Sequence, residues 1–453
     1  MFLSNNTPTL KRRLKNRHIQ LIAMGGAIGT GLFLGSAHII ESAGPSIILG
    51  YFIGGLIAFL IMRQLGEMIV HEPVTGSFSY FAFKYWGRFS GFLTGWNYWV
   101  LYILVAMTEL TAIGKYVNYW WPEIPTWLTV LFFFSVVTIM NLANVKIYGE
   151  SEFWLSIIKV LAIVAMILFG VYLLFSADAS SSASIQNLWI HGGFFPHGFD
   201  GLFYMLAFMM FAFGGIELIS MAAAETENPD KNIPKAVNQT VIRVFLFYIC
   251  SLAILLSLVP WNQLELGGLD KSPFVIIFNE MGIHWAAHLL NFIILTASLS
   301  VCNSGMYANS RMLLGLAEQG NAPKLFSKVN RQGIPVPAVL FSALLIFSCV
   351  LLNYFVPEKA LSYLIYIVVA AAVLNWMMIS LIHLKFRQTM KKEGVKTKFP
   401  ALFAPFTNYF VLAFMLMILY IMWVQGFMLS VLMLPVWILI LFCIFKFFKQ
   451  KQS

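Results

Sequence analysis

The sequence predicts an all-α polytopic membrane protein. Three observations carry that expectation. Hydrophobic residues make up 60% of the chain and charged residues only 11%, far from the balance of a water-soluble domain. Apolar stretches of about twenty residues, long enough to cross a bilayer, recur from end to end. Lysine and arginine collect on every second connection between those stretches.

Taken in order, the apolar segments fall at 18–40, 45–71, 89–118, 126–145, 152–176, 200–224, 241–260, 284–310, 336–355, 360–384, 402–421 and 428–447, which makes twelve crossings. The first contains Met24-Gly25-Gly26-Ala27-Ile28-Gly29-Thr30-Gly31-Leu32. Glycine weakens a helix and accepts dihedrals that other residues avoid, so the cluster predicts a break near mid-membrane. The second ends with Arg63 and Glu67, four residues apart and expected to pair with each other. Glu109 lies in the third beside Tyr98, Tyr102 and Thr108, where it either lines an outer vestibule or bonds neighbouring hydroxyls. Lys159 is inside the fifth. A second break, Phe211-Ala212-Phe213-Gly214-Gly215-Ile216-Glu217, marks the sixth. Around it, the Ser- and Gly-rich stretch Ser176–Asp200 is expected to be a flexible external connection, and Glu225–Ala236, with its prolines, a tight structured linker. Pro273–Glu280 is apolar but short and is set outside the membrane, so the eighth crossing begins at 284.

Of the 29 lysines and arginines, Arg63 and Lys159 fall inside segments, Lys115, Lys271 and Lys359 lie on one side, and all the others lie on the side of the N-terminus. That asymmetry puts both termini in the cytoplasm and accounts for the net charge of +10 without any nucleic acid. The basic stretch Lys11–Arg17 precedes a segment too long and too glycine-patterned for a cleavable signal, and reads as a cytosolic tail. Cys250, Cys302, Cys349 and Cys443 sit singly inside apolar segments, which suggests neither a disulfide framework nor a zinc site. His284 and His288 have helical i, i+4 spacing but lack the carboxylate of an HExxH pattern, so no metal is expected. With no GxxxxGK[ST] loop, ATP is not the energy source; with no nucleophile–base pair, the chain is not expected to be an enzyme. Membrane lipid surrounds the chain, and no obligate protein partner is evident.

The two glycine breaks are five segments apart, an odd spacing that gives them opposite orientations. An inverted repeat requires this arrangement, with residues 18–176 and 200–384 as its five-helix units and 177–199 as the external loop. Residues 385–447 then hold two extra helices, and 1–17 and 448–453 are cytoplasmic tails. Broken helices free backbone groups near the midplane, where a small zwitterion fits. The amides of Gly29, Thr30 and Gly31 suit a carboxylate, and the carbonyls of Ala27, Phe211, Ala212 and Gly214 an ammonium, with Ile28 and Phe213 on the same stretches. The rival reading is that these glycines only let helices pack closely. Glu217 and Lys159 lie at similar depth, either as a static ion pair or as a pair through which a proton moves.

The stretches Arg17–Gly35, Met62–Met68, Asn232–Ala236 and Asn309–Ala317 resemble the bacterial amino-acid permeases of the amino acid–polyamine–organocation superfamily, over essentially the whole chain. Gly95–Tyr102 and Glu109–Ala112 are most similar to the aromatic amino-acid and phenylalanine permeases within it. The resemblance implies a leucine-transporter-type fold in the bacterial inner membrane that imports an amino acid with a proton by alternating access, with no cofactor. Phenylalanine, tyrosine and tryptophan are the expected substrates; a proline- or histidine-type importer is the alternative, and an amino-acid sensor a more distant one. It further implies that Ala27, Thr30, Gly31, Phe211, Ala212 and Gly214 meet the substrate, that Phe211 is a gate, and that Lys159 carries the proton. Tyr102 belongs to the same candidate substrate site.

Overall fold

The computed structural model describes residues 28–74, 77–143, 145–176, 183–221, 228–264 and 271–450, and every regular element among them is helical. Helices α1 (Thr30–Phe33) and α2 (Gly35–Ala43) lead through a turn at Gly44–Ser46 into α3 (Ile47–His71). A short α4 (Ser77–Tyr85) precedes α5 (Arg88–Asn118), α6 (Thr126–Leu142) and α7 (Val145–Ser176). Next come α8 (Gly198–Met209) and α9 (Leu218–Met221), with a 3₁₀ turn at Met210–Phe213 between them. A π-helical stretch, Val244–Cys250, joins α10 (Pro229–Arg243) to α11 (Ser251–Leu258). Then follow α12 (Pro273–Glu280), α13 (His284–Glu318), α14 (Val336–Ile346), α15 (Ser348–Phe355), α16 (Ala360–Lys392), α17 (Phe406–Val424) and α18 (Met428–Gln450).

Ten stretches among the described residues are long and apolar enough to cross a membrane. Two features account for the difference from twelve. The described part of the segment 18–40 and the segment 45–71 fall within one stretch, Thr30–His71, and α6 has 17 residues, at about 1.5 Å each just short of a 30 Å hydrocarbon layer.

Burial sorts the helices into a centre and a rim. In the apolar part of α5 and of α16, 83% of residues are buried, against 22% in Gly149–Ser176 and 11% in Met428–Phe447. The centre is built by α13 packed along α5 and α7, and by α16 along α5 and α3. The outward faces carry Phe132, Leu168, Phe175 and Leu439, as a surface bathed in hydrocarbon requires.

Glu67, on α3, does not pair with Arg63. Its buried carboxylate accepts from His383 Nε2 at 2.9 Å, Arg387 at 2.8 Å, the Thr397 hydroxyl at 2.6 Å and the Ala401 amide at 2.7 Å. Asn408 donates to His383 Nδ1 at 2.9 Å, which leaves Nε2 as the hydrogen-bearing nitrogen facing Glu67. Arg63 instead donates to the Pro400 carbonyl at 2.5 Å, its guanidinium 3.7 Å from the centre of the Phe399 ring. A buried carboxylate needs several donors to offset its lost hydration, and one flexible arginine a helical turn away supplies fewer than the chain folding back over it. The cluster ties α3, α16, α17 and the connection 393–405 together.

Two connections differ from expectation. Pro229–Arg243 is helical rather than a loop, because Pro229 occupies the first turn, where its missing N–H costs nothing, and Pro234 gives up a single bond. Residues 222–227 lie outside the described residues. Residues 183–200 are anchored rather than loose: Ser184 N and Asn187 Nδ2 donate to the Ser257 carbonyl at 2.8 and 3.0 Å, and Trp261 donates to the His191 carbonyl at 3.0 Å. Pro273–Glu280 is a separate short helix, in keeping with the sequence reading.

Candidate functional site

The second glycine cluster breaks its helix. After the 3₁₀ turn, Gly214 swings to ψ 144° and Gly215 to φ +90°, a dihedral that glycine adopts at little cost, and helix resumes at Leu218. Two of the freed carbonyls have partners already. Phe211 O accepts the Gly214 amide at 3.1 Å, and Ala212 O accepts the hydroxyl of buried Tyr248 at 2.8 Å. Tyr248 belongs to the π-helical stretch, a widened turn of the kind that often re-aims a side chain at a functional site.

At the first cluster Gly29 is extended, with φ −147° and ψ −151°, and helix begins at Thr30. Gly25, Gly26 and Ala27 lie outside the described residues. The amide of Thr30 is met by both oxygens of Glu109, at 3.2 and 3.3 Å, and the Thr30 hydroxyl donates to the same carboxylate at 2.7 Å. Ser298 lies 3.0 Å from that hydroxyl. The carboxylate expected at these amides is thus present as a side chain of the protein itself. A side chain on Gly29 would place its Cβ 2.8 Å from Glu109 Oε1. On Gly31 it would stand 2.6 Å from Ala212 Cα, so the first cluster meets the backbone of the second break and Gly31 is required by close approach.

A cavity of about 30 Å³ lies between the breaks, bounded by Gly29, Gly31, Glu109, Phe211, Gly214, Gly215 and Glu217 together with Tyr102. It holds a water or two but not an amino acid. Leu101 and Val105 from α5, Val301 from α13, and Val368 and Ala372 from α16 complete an apolar wall. Of the other sequence-predicted residues, Ile28, Thr30 and Ala212 are buried beside the cavity's lining residues, while Phe213 packs away from it against Tyr51 and Tyr248, with ring centres 5.9 and 5.4 Å apart.

Glu217 and Lys159 are both buried and are not partners. Glu217 accepts the Tyr102 hydroxyl at 3.2 Å, and its second oxygen accepts nothing among the described residues. Lys159 donates to Ser300 at 2.8 Å, and Ser300 donates to Glu152 at 2.5 Å. Outside this region, His284 lies 2.7 Å from Asn279 and His288 accepts from Trp120 at 3.0 Å.

Sequence reasoning passed over Ser298, Ser300 and Glu152. A signal existed for the serines, since Ser298, Ser300, Asn303 and Ser304 interrupt an apolar segment, and buried hydroxyls in a bilayer find specific partners. The aliphatic wall carried no signal, being ordinary hydrophobic sequence.

The amino acid permease family matches residues 18–453. Over 445 residues the chain is 59% identical to the aromatic amino acid transport protein AroP of Escherichia coli O6:H1, covering 98% of this chain and 97% of that protein. It is 60% identical over 433 residues to AroP of Salmonella typhimurium (strain LT2), covering 95% and 94%. The uncharacterized transporter YdgF of Bacillus subtilis (strain 168) is 44% identical over 451 residues, covering 99% of this chain and 98% of its own length.

Proposed function

The chain belongs to the amino acid permease family, and on that premise we propose that it imports aromatic amino acids, phenylalanine, tyrosine and tryptophan, together with a proton across the bacterial inner membrane. It is a multi-pass membrane transporter and not an enzyme. The names of the AroP relatives support the aromatic substrate class, and so does the wall of Leu101, Val105, Val301, Val368 and Ala372, which offers a side chain only apolar surface. In this reading the fold has twelve crossings with both termini cytoplasmic. Residues 18–176 and 200–384 are its inverted repeats, 177–199 the external loop between them, and 385–447 the two added helices.

One observation carries the proposal: the glycine cluster Gly29–Gly31 packs against the helix break at Ala212–Gly215, with a cavity beside them bounded by carboxylates and a tyrosine. The substrate's carboxylate goes to the amides of Gly29, Thr30 and Gly31, beside Ile28, and its ammonium to Glu217 and the carbonyls of Ala27, Phe211, Ala212 and Gly214. Reaching Thr30 requires Glu109 to let go of it, so the Glu109–Thr30 bonds belong to the empty carrier. Because the cavity is smaller than an amino acid, alternating access opens it, and Phe211 is the gate. Lys159 takes and releases the coupling proton. Neither a cofactor nor a protein partner has a place in this cycle.

The test is uptake of labelled phenylalanine into proteoliposomes under an imposed pH gradient, challenged with each of the twenty amino acids. Competition by unlabelled phenylalanine, tyrosine and tryptophan alone is expected. Competition by proline or histidine at equal strength overturns the substrate class, and uptake that needs sodium overturns the coupling. Phe211→Ala is expected to raise the KM for phenylalanine about tenfold, roughly 1.4 kcal/mol.

A further inference from the structure

We propose that Glu152 is the next carrier of the coupling proton, receiving it from Lys159 through the hydroxyl of Ser300. The inference rests on the reading of Lys159 given above and extends it to the route by which the proton leaves.

Lys159, Ser300 and Glu152 are each 0% exposed. Their hydrogen bonds all point one way: Lys159 Nζ donates to Ser300 Oγ at 2.8 Å, and Ser300 Oγ donates to Glu152 Oε1 at 2.5 Å. Glu152 and Lys159 stand seven residues apart on α7, two helical turns or roughly 10 Å along the axis, too far to touch along their own helix. Ser300 reaches in from α13 and closes the gap. Oε1, where the proton arrives, also accepts the Ser156 hydroxyl at 3.4 Å, while the second oxygen of Glu152 is buried and accepts nothing among the described residues, so this carboxylate keeps open bonding capacity. Glu152 is also the member nearer the start of α7 at Val145, which is the cytoplasmic end if both termini are inside. The line Lys159–Ser300–Glu152 therefore runs from the level of the cavity toward the cytoplasm.

The transfer balances without a further reactant. Lys159 loses one N–H proton to Ser300 Oγ as the Ser300 hydroxyl proton passes to Glu152 Oε1, leaving a neutral amine, an intact serine and a neutral carboxyl. The charged groups within electrostatic reach of Lys159 are Glu152 on its own helix, Glu109 on α5 and Arg243 on α10. Glu109 is the one bonded to Thr30, so a substrate that displaces it alters the charge beside Lys159. Loading of the site and departure of the proton are thereby linked.

The experiment compares two rates in proteoliposomes holding the full chain: phenylalanine accumulation driven by a pH gradient, and phenylalanine exchange with no gradient. Ser300→Ala is expected to lower the ratio of accumulation to exchange by about tenfold or more, as loss of a positioned proton-transfer group does, and Ser300→Thr, which keeps the hydroxyl, to restore it. Glu152→Gln is expected to match Ser300→Ala. An unchanged ratio in Ser300→Ala overturns the relay, as does an equal fall of both rates that threonine fails to restore, which marks a purely structural contact. Lys159→Ala separates the two readings. If it too keeps gradient-driven accumulation, the proton role of Lys159 falls together with the relay; if it loses accumulation while Ser300→Ala does not, the relay alone is wrong.

Discussion

Glu67 and Glu217 are both buried carboxylates, 0% and 1% exposed, and the fold treats them in opposite ways. Four donors from one helix and the connection that follows it converge on Glu67, and together they use both of its oxygens. Glu217 has one tyrosine hydroxyl and an oxygen with no partner among the described residues, and it borders the space between the broken helices. A charge held only to join helices is surrounded until every lone pair is used, because each unmet one costs free energy in a medium without water. Where a group must take and release a ligand, some of its bonding capacity has to stay open. On the proposed reading, incomplete satisfaction, rather than burial, separates the working carboxylate from the scaffolding one.

Four substitutions break or sharpen that contrast, and their effects on stability should fall in order. Glu67→Ala leaves Arg387 without its counter-charge and His383 Nε2 without its acceptor, and is expected to cost about 3–5 kcal/mol, read as a lower melting temperature in detergent. A melt like that of the parent would remove the distinction altogether. Thr397→Val deletes one donor to Glu67 at nearly constant shape, for about 1.5–3 kcal/mol by the same measurement. Glu217→Gln keeps an acceptor for Tyr102 and should change stability by less than about 1 kcal/mol while gradient-driven uptake collapses; a large drop in melting temperature would make Glu217 a second clamp.

The smallest effect belongs to a surface pair. Lys84 donates to Glu72 at 2.5 Å with its side chain 41% exposed, and Lys84→Ala is expected to cost about 0.5 kcal/mol or less. Burial pulls the Lys84 ammonium down, but its hydrogen bond to Glu72 and the neighbouring Tyr85 and Glu72 charges outweigh it, so its pKa stands above that of an ordinary lysine. A raised lysine pKa contributes fully below the unfolded value and is lost as pH rises through the folded one, a window above about pH 10. The melting profile of Lys84→Ala should therefore parallel the parent's around neutral pH.

How much of this was legible in the sequence follows from how local each signal is. The extended backbone at Gly29 and the helix break at Gly214–Gly215 announce themselves because glycine density acts on the backbone where it stands. Glu109, Lys159 and Glu217 stood out as ionisable groups in apolar runs. Their partners did not. Thr30 is 79 residues from Glu109, Ser300 141 from Lys159, and His383 316 from Glu67, and no helical period reports such distances. The Arg63–Glu67 pairing failed for the same reason, since i, i+4 spacing describes an isolated helix and Glu67 is claimed by residues that arrive from the other end of the chain.

Helix Met428–Gln450, with 11% of its apolar stretch buried, owes its place more to surrounding lipid than to the rest of the protein. Extraction into short-chain detergent replaces that lipid with a thin, mobile micelle, so this helix is the first to come adrift while the broken helices at the centre stay packed. An affinity tag fused after Ser453 would hang from the least secured element of the fold, and long-chain detergents or nanodiscs are the setting in which it keeps its seat.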